Sequence, residues 1–337
     1  MISSARRSAP ALLFAVALLA QAAIVSGAPD PKRGHWSRGP ALPIPRAEAY
    51  VGVAGGAIYL VGGSGQGAIS SPLVQSLDPV HGVWRTRTPL PRGLDHIGVV
   101  GLNGKIYTVG GFTNGNKAAV ADCYAFDSAT DRWTAIAPLP HARGSVAVAA
   151  LDGKIHAVGG RDTESVTEHD VYDPATNAWS AAAPLPPGEG RDHMGLLAEG
   201  GRLYAIAGRI NDVDKPTDFL ESYDPKTDRW NELPRMPSKR SGGAAAVYQG
   251  RLLYIGGELL NGINNGTFIT NEAYDPRTQT WSELAPLPAG RHGFGAAVVG
   301  DKVYLPGGQV NAGGQLGWPN GYNERKYATD VFVFSQP

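Results

Sequence analysis

The chain is predicted to be all-β, built as one array of six like modules behind a short export leader. Three observations carry this. First, an apolar run ending in a Gly pair recurs, the pairs beginning at Gly62, Gly110, Gly159, Ala207 (the one substituted copy, Ala207-Gly208), Gly256 and Gly307, with steps of 48, 49, 48, 49 and 51 residues. So regular a period marks a repeat architecture. Second, a Trp recurs in phase with it, at Trp36, Trp84, Trp133, Trp179, Trp230 and Trp281. Third, 45 Gly and 26 Pro in 337 residues suit short strands joined by tight turns.

The leader comes first in chain order. Arg6 and Arg7 precede an apolar stretch from Ala11 to Val25, and Ser26-Gly27-Ala28 offers small residues for cleavage after Ala28. This is the pattern of a secretory signal over residues 1–28. The apolar stretch is too short for a comfortable membrane span. The mature chain, 29–337, is then expected in a secreted or periplasmic setting. Cys123 is the single cysteine, so no internal disulfide can form. It is most simply a small buried apolar residue. Thirty basic and thirty acidic residues balance. That gives no cationic excess for nucleic acid or an anionic membrane surface.

The third module shows the strands in order. Ser145 to Leu151 is a run of small apolar residues, and Asp152-Gly153 supplies a two-residue turn with the positive φ that a tight hairpin needs. Lys154 to Val158 returns and ends at Gly159-Gly160. His169 to Tyr172 makes a third strand, closed by Asp173-Pro174. Trp179 opens a fourth, stopped by Pro184-Leu185-Pro186. The first turn recurs at Asn103-Gly104, Gly200-Gly201 and Gln249-Gly250. The second recurs at Asp78-Pro79, Asp224-Pro225 and Asp275-Pro276.

These motifs resemble the Kelch family. The clearest copy runs Leu102-Asn103-Gly104-Lys105-Ile106-Tyr107-Thr108-Val109-Gly110-Gly111, followed by Tyr124 and Trp133. The resemblance covers roughly residues 35–337 and implies a six-bladed β-propeller with blades around a central channel. A Trp precedes the first Gly pair and none follows the last in register. Residues 36–42 are therefore expected to supply the missing fourth strand of blade 6, beside Asp330 to Phe334, and to latch the ring. The small residues of the first strands, such as Val146 to Ala150 and Ala244 to Val247, are expected at the crowded axis.

Strand alternation puts the tight turns on one face. The strand 2–3 loops and the blade connections share the other, and blade 6 has the longest such loop. That face is the expected binding face. An Arg opens strand 1 in five blades: Arg46, Arg143, Arg191, Arg240 and Arg291. It could form a cationic collar for an acidic ligand, or tie neighbouring loops through carbonyl groups. The residue after each Gly pair is not repeated: Ser64, Phe112, Arg161, Arg209, Glu258 and Gln309. With Glu48, Asp95, Glu189 and Asp192 these could ring the channel mouth. Arg161 and Arg209 could grip a carboxylate or phosphate, and Glu258 and His193 are the candidates for acid or base. Paired loop charges are the plainer alternative. Trp318 and Tyr322, on the blade-6 loop, could stack on a sugar or anchor a partner. Asp95-His96 and Asp192-His193 occupy equivalent slots. They lie on blades 2 and 4, with no third ligand evident, so no metal site is expected, and no cofactor.

Two functions fit. One is an exported, monomeric module that binds a protein or a carbohydrate, acidic ligands included, through the long-loop face. The other follows from a second resemblance: exported bacterial Kelch propellers include the sialic acid mutarotases. This chain is similar to them in blade number, signal and basic mouth, which implies an isomerase. Galactose oxidase is a weaker likeness, because Cys123 lies beside Tyr124 and no Tyr/His copper set matches. Convergence of Arg161, Arg209, Glu258 and His193 in one place would favour a small ligand. An open aromatic face around Trp318 would favour a macromolecule.

Overall fold

Each blade is drawn by turns whose residues tolerate a left-handed backbone. Asp152 and Gly153 have φ of 50° and 76°, Asn103 and Gly104 50° and 74°, as a tight hairpin between twisted strands requires. At the second turn the Asp side chain holds the loop: Asp78, Asp127, Asp173, Asp224 and Asp275 each accept a backbone N–H two residues on, at 2.9–3.0 Å. These turns fold the chain, in a computed structural model that describes residue 1 and residues 31–65, 69–260, 265–312 and 327–337, into six four-stranded antiparallel sheets. Two short ribbons, Phe112–Thr113 with Ala118–Ala119 and Glu258–Leu260 with Asn265–Thr267, extend strand 2–3 loops of blades 2 and 5. Among the described residues the helical content is one 3₁₀ turn, Pro31–Arg33.

Blade 6 consists of Ala297–Val299, Lys302–Pro306 and Val331–Ser335, completed by His35–Arg38. Trp36 pairs with Phe334 and Arg38 with Phe332, antiparallel. Gly39 N–H and Leu42 N–H continue the attachment to Val331 O and Thr329 O, at 2.8 and 2.7 Å. The expected latch is the observed closure, and it covers an otherwise open sheet edge.

The repeated Trp explains how blades dock. Each indole N–H donates to a carbonyl at the end of the preceding blade: Trp84 to Pro40, Trp133 to Thr88, Trp179 to Ala137, Trp230 to Ala183, Trp281 to Pro234 and Trp36 to Ala285, all at 2.8–3.0 Å. Between blades the apolar residues gather into six clusters, one per interface. Trp36, Phe332 and Phe334 join Leu253 and Ile255 between blades 5 and 6; Leu42 and Val331 join Ile58 and Leu60 between blades 6 and 1. Burial of this apolar surface is the main stabilising term.

The Gly pair serves the same docking. Gly110 has φ of 59°, and a Cβ there would lie 2.2 Å from Arg143 O of the next blade. Gly111 N–H then donates to that carbonyl at 3.0 Å. The first strands surround a channel of about 470 Å³ lined by Val51, Val99, Val148, Ala149, Ala245 and Ala246 among others, as their small size predicts. Cys123 is buried, and burial pushes its thiol up to about 11, so it is a packing residue.

The five opening arginines do not form a collar for a ligand. All are 0–1 % exposed. Arg143, Arg191 and Arg240 donate through Nε to the carbonyl of the first residue of their own blade's Gly pair (Ala207 in blade 4), at 2.8–2.9 Å. Arg143, Arg191, Arg240 and Arg291 also pair with Asp170, Glu221, Glu272 and Asp330. Arg46 bonds Leu73 O and Gln75 instead. The ligand role expected of Arg191 therefore does not fit: its guanidinium is spent inside blade 4, where Glu189 also lies, beside Glu221.

Candidate functional site at the channel mouth

Two residues beyond each opening position, every blade turns into the left-handed region: Glu48 (φ 51°), His96 (52°), Ser145 (51°), His193 (52°), Gly242 (66°) and Gly293 (63°). Four of the six are not glycine, and such strain is concentrated at functional sites. Their peptide groups join blade to blade. Glu48 N–H donates to Gly293 O, His96 N–H to Glu48 O, Ser145 N–H to His96 O, Gly242 N–H to His193 O and Gly293 N–H to Gly242 O, at 2.7–3.1 Å. The residues after the Gly pairs bridge to this ring one step back: Phe112 to Asp95, Arg161 to Gly144, Arg209 to Asp192, Glu258 to Ser241 and Gln309 to His292. The unrepeated positions thus do encircle the mouth, on the expected loop face.

The side chains inside it touch one another. Arg209 donates from Nε to Asp192 at 3.2 Å, from Nη1 to Glu258 at 2.8 Å and from Nη2 to His193 Nε2 at 3.0 Å. Arg161 Nε stands 4.0 Å from Asp192; its Nη2 donates to Asn116 at 2.7 Å, and its guanidinium lies 4.6 Å from the Phe112 ring centre. Arg161, Arg209, Glu258 and His193 therefore converge. Gln309 sits beside them on its bridge to His292, its amide donating to Asn311 O at 3.1 Å. Trp318 and Tyr322 lie outside the described residues.

Two matched chains of polar groups run into the mouth from blades 2 and 4. His96 Nδ1 meets Asp95 at 2.6 Å, and Asp95 accepts the Ser70 hydroxyl. His193 Nδ1 meets Asp192, which accepts the Ser165 hydroxyl. The two imidazoles stand 5.1 Å apart, ring centre to ring centre. Blades 2 and 4 are not neighbours, yet across the narrow mouth their imidazoles meet. Glu48, from blade 1, is the third member. One ligand-type atom from each of Glu48, His96 and His193 lies within 4.8 Å of the others.

Glu48 also meets His96 Nε2 at 3.4 Å, His292 Nε2 at 3.6 Å and the Tyr50 hydroxyl at 3.3 Å. Burial alone would raise its carboxyl. The facing His96 above all, with the Arg209 cation, overcomes that and holds it at about 2. Burial and the Arg209 cation keep His193 neutral, down at about 4. Burial would lower His96 too, but Glu48 and Asp95 outweigh it and raise the imidazole. Desolvation works against the Arg209 charge, yet Glu258, Asp192 and Glu48 raise it further.

His292 has no counterpart in the sequence reading. It sits one residue earlier in its repeat than His96 and His193, so alignment of the slots does not expose it. Its Nε2 lies 3.3 Å from Glu258. The legible signal for Glu48 was its slot, equivalent to His96, two residues after Arg46.

The class defined by these features is a six-bladed propeller with a polar plug at one channel mouth. Kelch motif patterns match residues 95–140, 142–186, 191–237 and 239–288, together more than half of the chain, and the chain belongs to the Kelch-repeat family. Kelch-like protein terF of Aspergillus terreus is 28% identical over 308 residues, covering 85% of this chain and 67% of that protein. Kelch-like protein 15 of Danio rerio is 26% identical over 260 residues, and this chain spans 36% of its length. The solved structure of YjhT superposes with a TM-score of 0.73 at 17% identity, over 88% of this chain and 96% of that one, a likeness of fold.

Proposed function

We propose that this protein is an exported propeller that binds a small carbohydrate at its channel mouth. The observation that carries the reading is the convergence of Arg161, Arg209, Glu258 and His193 with Glu48 and His96 in one cluster. Carboxylates that accept and guanidiniums that donate stand side by side there, the mixture that hydroxyl-rich ligands use. Small-ligand sites are concave, with a few convergent polar groups, and this cluster caps a channel. Arg161 is the ligand-facing cation: 19 % of its side chain remains exposed, against 0 % for Arg191. The family's general use as a protein-binding scaffold enters through the loops around the mouth, with the cluster as the centre of recognition.

Binding fits the geometry better than isomerase chemistry. A general base needs a free lone pair near neutral pH. The Nε2 of His193 already accepts from Arg209, and Glu258 is 2 % exposed and paired with the same arginine. Calorimetric titration with N-acetylneuraminate, glucuronate, galactose and a mixed peptide library tests the reading. At least one sugar should bind, and Arg161→Ala should weaken it about tenfold or more, the loss of one charged hydrogen bond. Binding of peptide alone, or sugar binding untouched by Arg161→Ala, would overturn it.

A further inference from the structure

We propose that Glu48, His96 and His193 form a binding site for a first-row divalent metal ion, zinc or iron(II), at the channel axis. The three side chains come from blades 1, 2 and 4, and their ligand atoms lie within 4.8 Å of one another. A metal at the centre of such a triangle needs only side-chain adjustments to reach ordinary bond lengths of about 2.0–2.2 Å. Two imidazoles and one carboxylate are a recurrent set for zinc with an open position and for iron(II).

Proximity alone would not carry the proposal. The buttressing behind both imidazoles does. Each Nδ1–H faces a buried carboxylate, Asp95 or Asp192, and each carboxylate is itself fixed by a loop serine, Ser70 or Ser165. This arrangement places the Nδ1 proton on the carboxylate side and makes Nε2 the nitrogen that would face a metal. It is the support that metal-binding histidines use to hold tautomer and ring orientation. The same three-tier chain is built twice, each time with its serine on the preceding blade, Ser70 from blade 1 and Ser165 from blade 3, and both imidazoles lie beside Glu48. His96 Nε2 is 3.4 Å from the Glu48 carboxylate.

Charge points the same way. The mouth gathers four carboxylates, Glu48, Asp95, Asp192 and Glu258, around two guanidiniums, Arg161 and Arg209. Among the described residues the carboxylates outnumber the guanidiniums, and a divalent cation would be attracted there. In its absence Arg209 Nη2 stands 3.0 Å and the Ser145 hydroxyl 3.5 Å from Nε2 of His193, so metal entry requires both to give way. The arginine keeps its bonds to Glu258 and Asp192.

The test begins with protein stripped by chelator and dialysed. Zinc titration by calorimetry should show one ion per chain, and cobalt(II) should give visible bands of a nitrogen-ligated, low-coordinate site. Glu48→Gln, His96→Gln and His193→Gln should each weaken zinc tenfold or more. Asp192→Asn, which touches no metal, should weaken it about 10–100-fold through loss of His193 positioning. An anomalous difference map from zinc-soaked crystals keeps the proposal falsifiable if a variant fails to fold: the peak should sit between these three side chains. No stoichiometric zinc, a peak at surface histidines such as His35 or His81, or affinity unchanged in all three ligand variants would overturn it. None of these readouts involves a sugar, so the metal site and the carbohydrate reading stand or fall separately.

Discussion

Replacing Trp36 by Ala tests how the ring is closed. Trp36 is half-buried, packs 5.0 Å from Phe334 and 6.3 Å from Phe332, and donates its indole N–H to Ala285 O at 2.8 Å. A fully buried aromatic costs about 3–5 kcal/mol on truncation. Half burial leaves about 2 kcal/mol, the lost hydrogen bond adds about 1, and the two aromatic contacts add about 0.5. The sum is about 3–4 kcal/mol. For roughly 300 ordered residues, an unfolding entropy of about 2.1 cal/mol/K per residue converts this into a fall in Tm of about 5–6 °C. Circular dichroism melts of Trp36→Ala and Trp179→Ala make the comparison, because Trp179 makes the same bond inside the chain, to Ala137 O at 2.8 Å. Equal falls are expected. Deleting residues 29–42 should cost more, since Leu42, 1 % exposed, goes too. A Trp36→Ala melt within about 1 °C of wild type, beside a normal fall for Trp179→Ala, would refute closure by the N-terminal strand.

Three further outcomes are expected. Arg191→Ala should cost about 3 kcal/mol or more, because Glu221 is left buried without its partner, whereas Arg161→Ala should melt within a few degrees of wild type; thermal melts of the pair check the split between scaffold and site. His156 and His169 meet edge to edge in blade 3, Nδ1 of His156 2.8 Å from Nε2 of His169, and burial, with the neighbouring His169, holds His156 down at about 3. The unfolded imidazole takes its proton near pH 6.5, so the unfolded state binds more protons between 6.5 and 3. Stability is full above 6.5 and falls as pH drops through that window, by up to about 1.4 kcal/mol per pH unit for each His. Urea unfolding at pH 7.5 and 4.5 should show a smaller difference in His156→Leu; an unchanged difference removes His156 from the acid response. Finally, Gly110→Ala should destabilise by more than about 1 kcal/mol in the same urea assay, because φ is 59° and the new Cβ meets Arg143 O at 2.2 Å; a neutral result would show that the next blade can yield.

The propeller was legible because each of its joints demands a particular residue. A tight hairpin favours a residue pair that takes positive φ, such as Asn-Gly or Asp-Gly, blade docking favours a small pair where Arg143 O approaches Gly110, and the indole of each Trp reaches one linker carbonyl. Such demands are local, so they recur at a fixed period. The mouth is not local. Glu48, His96, Ser145, His193, Gly242 and Gly293 share one slot, but their side chains interact only because six blades meet at an axis. Periodicity singled out Arg161, Arg209 and Glu258 as exceptions to the repeat, and these do meet. It misjudged Arg191, since a repeated Arg can be either collar or strut, and burial decides that. It passed over His292, one residue out of phase, and it separated His96 from His193 by counting blades rather than distance.

A crystal structure of the protein soaked with its tightest-binding sugar shows whether the ligand sits at the channel mouth. Density for the sugar is expected on the loop face, with a hydroxyl or carboxylate within hydrogen-bonding distance of Arg161 and a second polar group facing Glu48. A sugar seated on the tight-turn face or along the outer Trp-bearing strands, with the mouth unchanged, would contradict that placement.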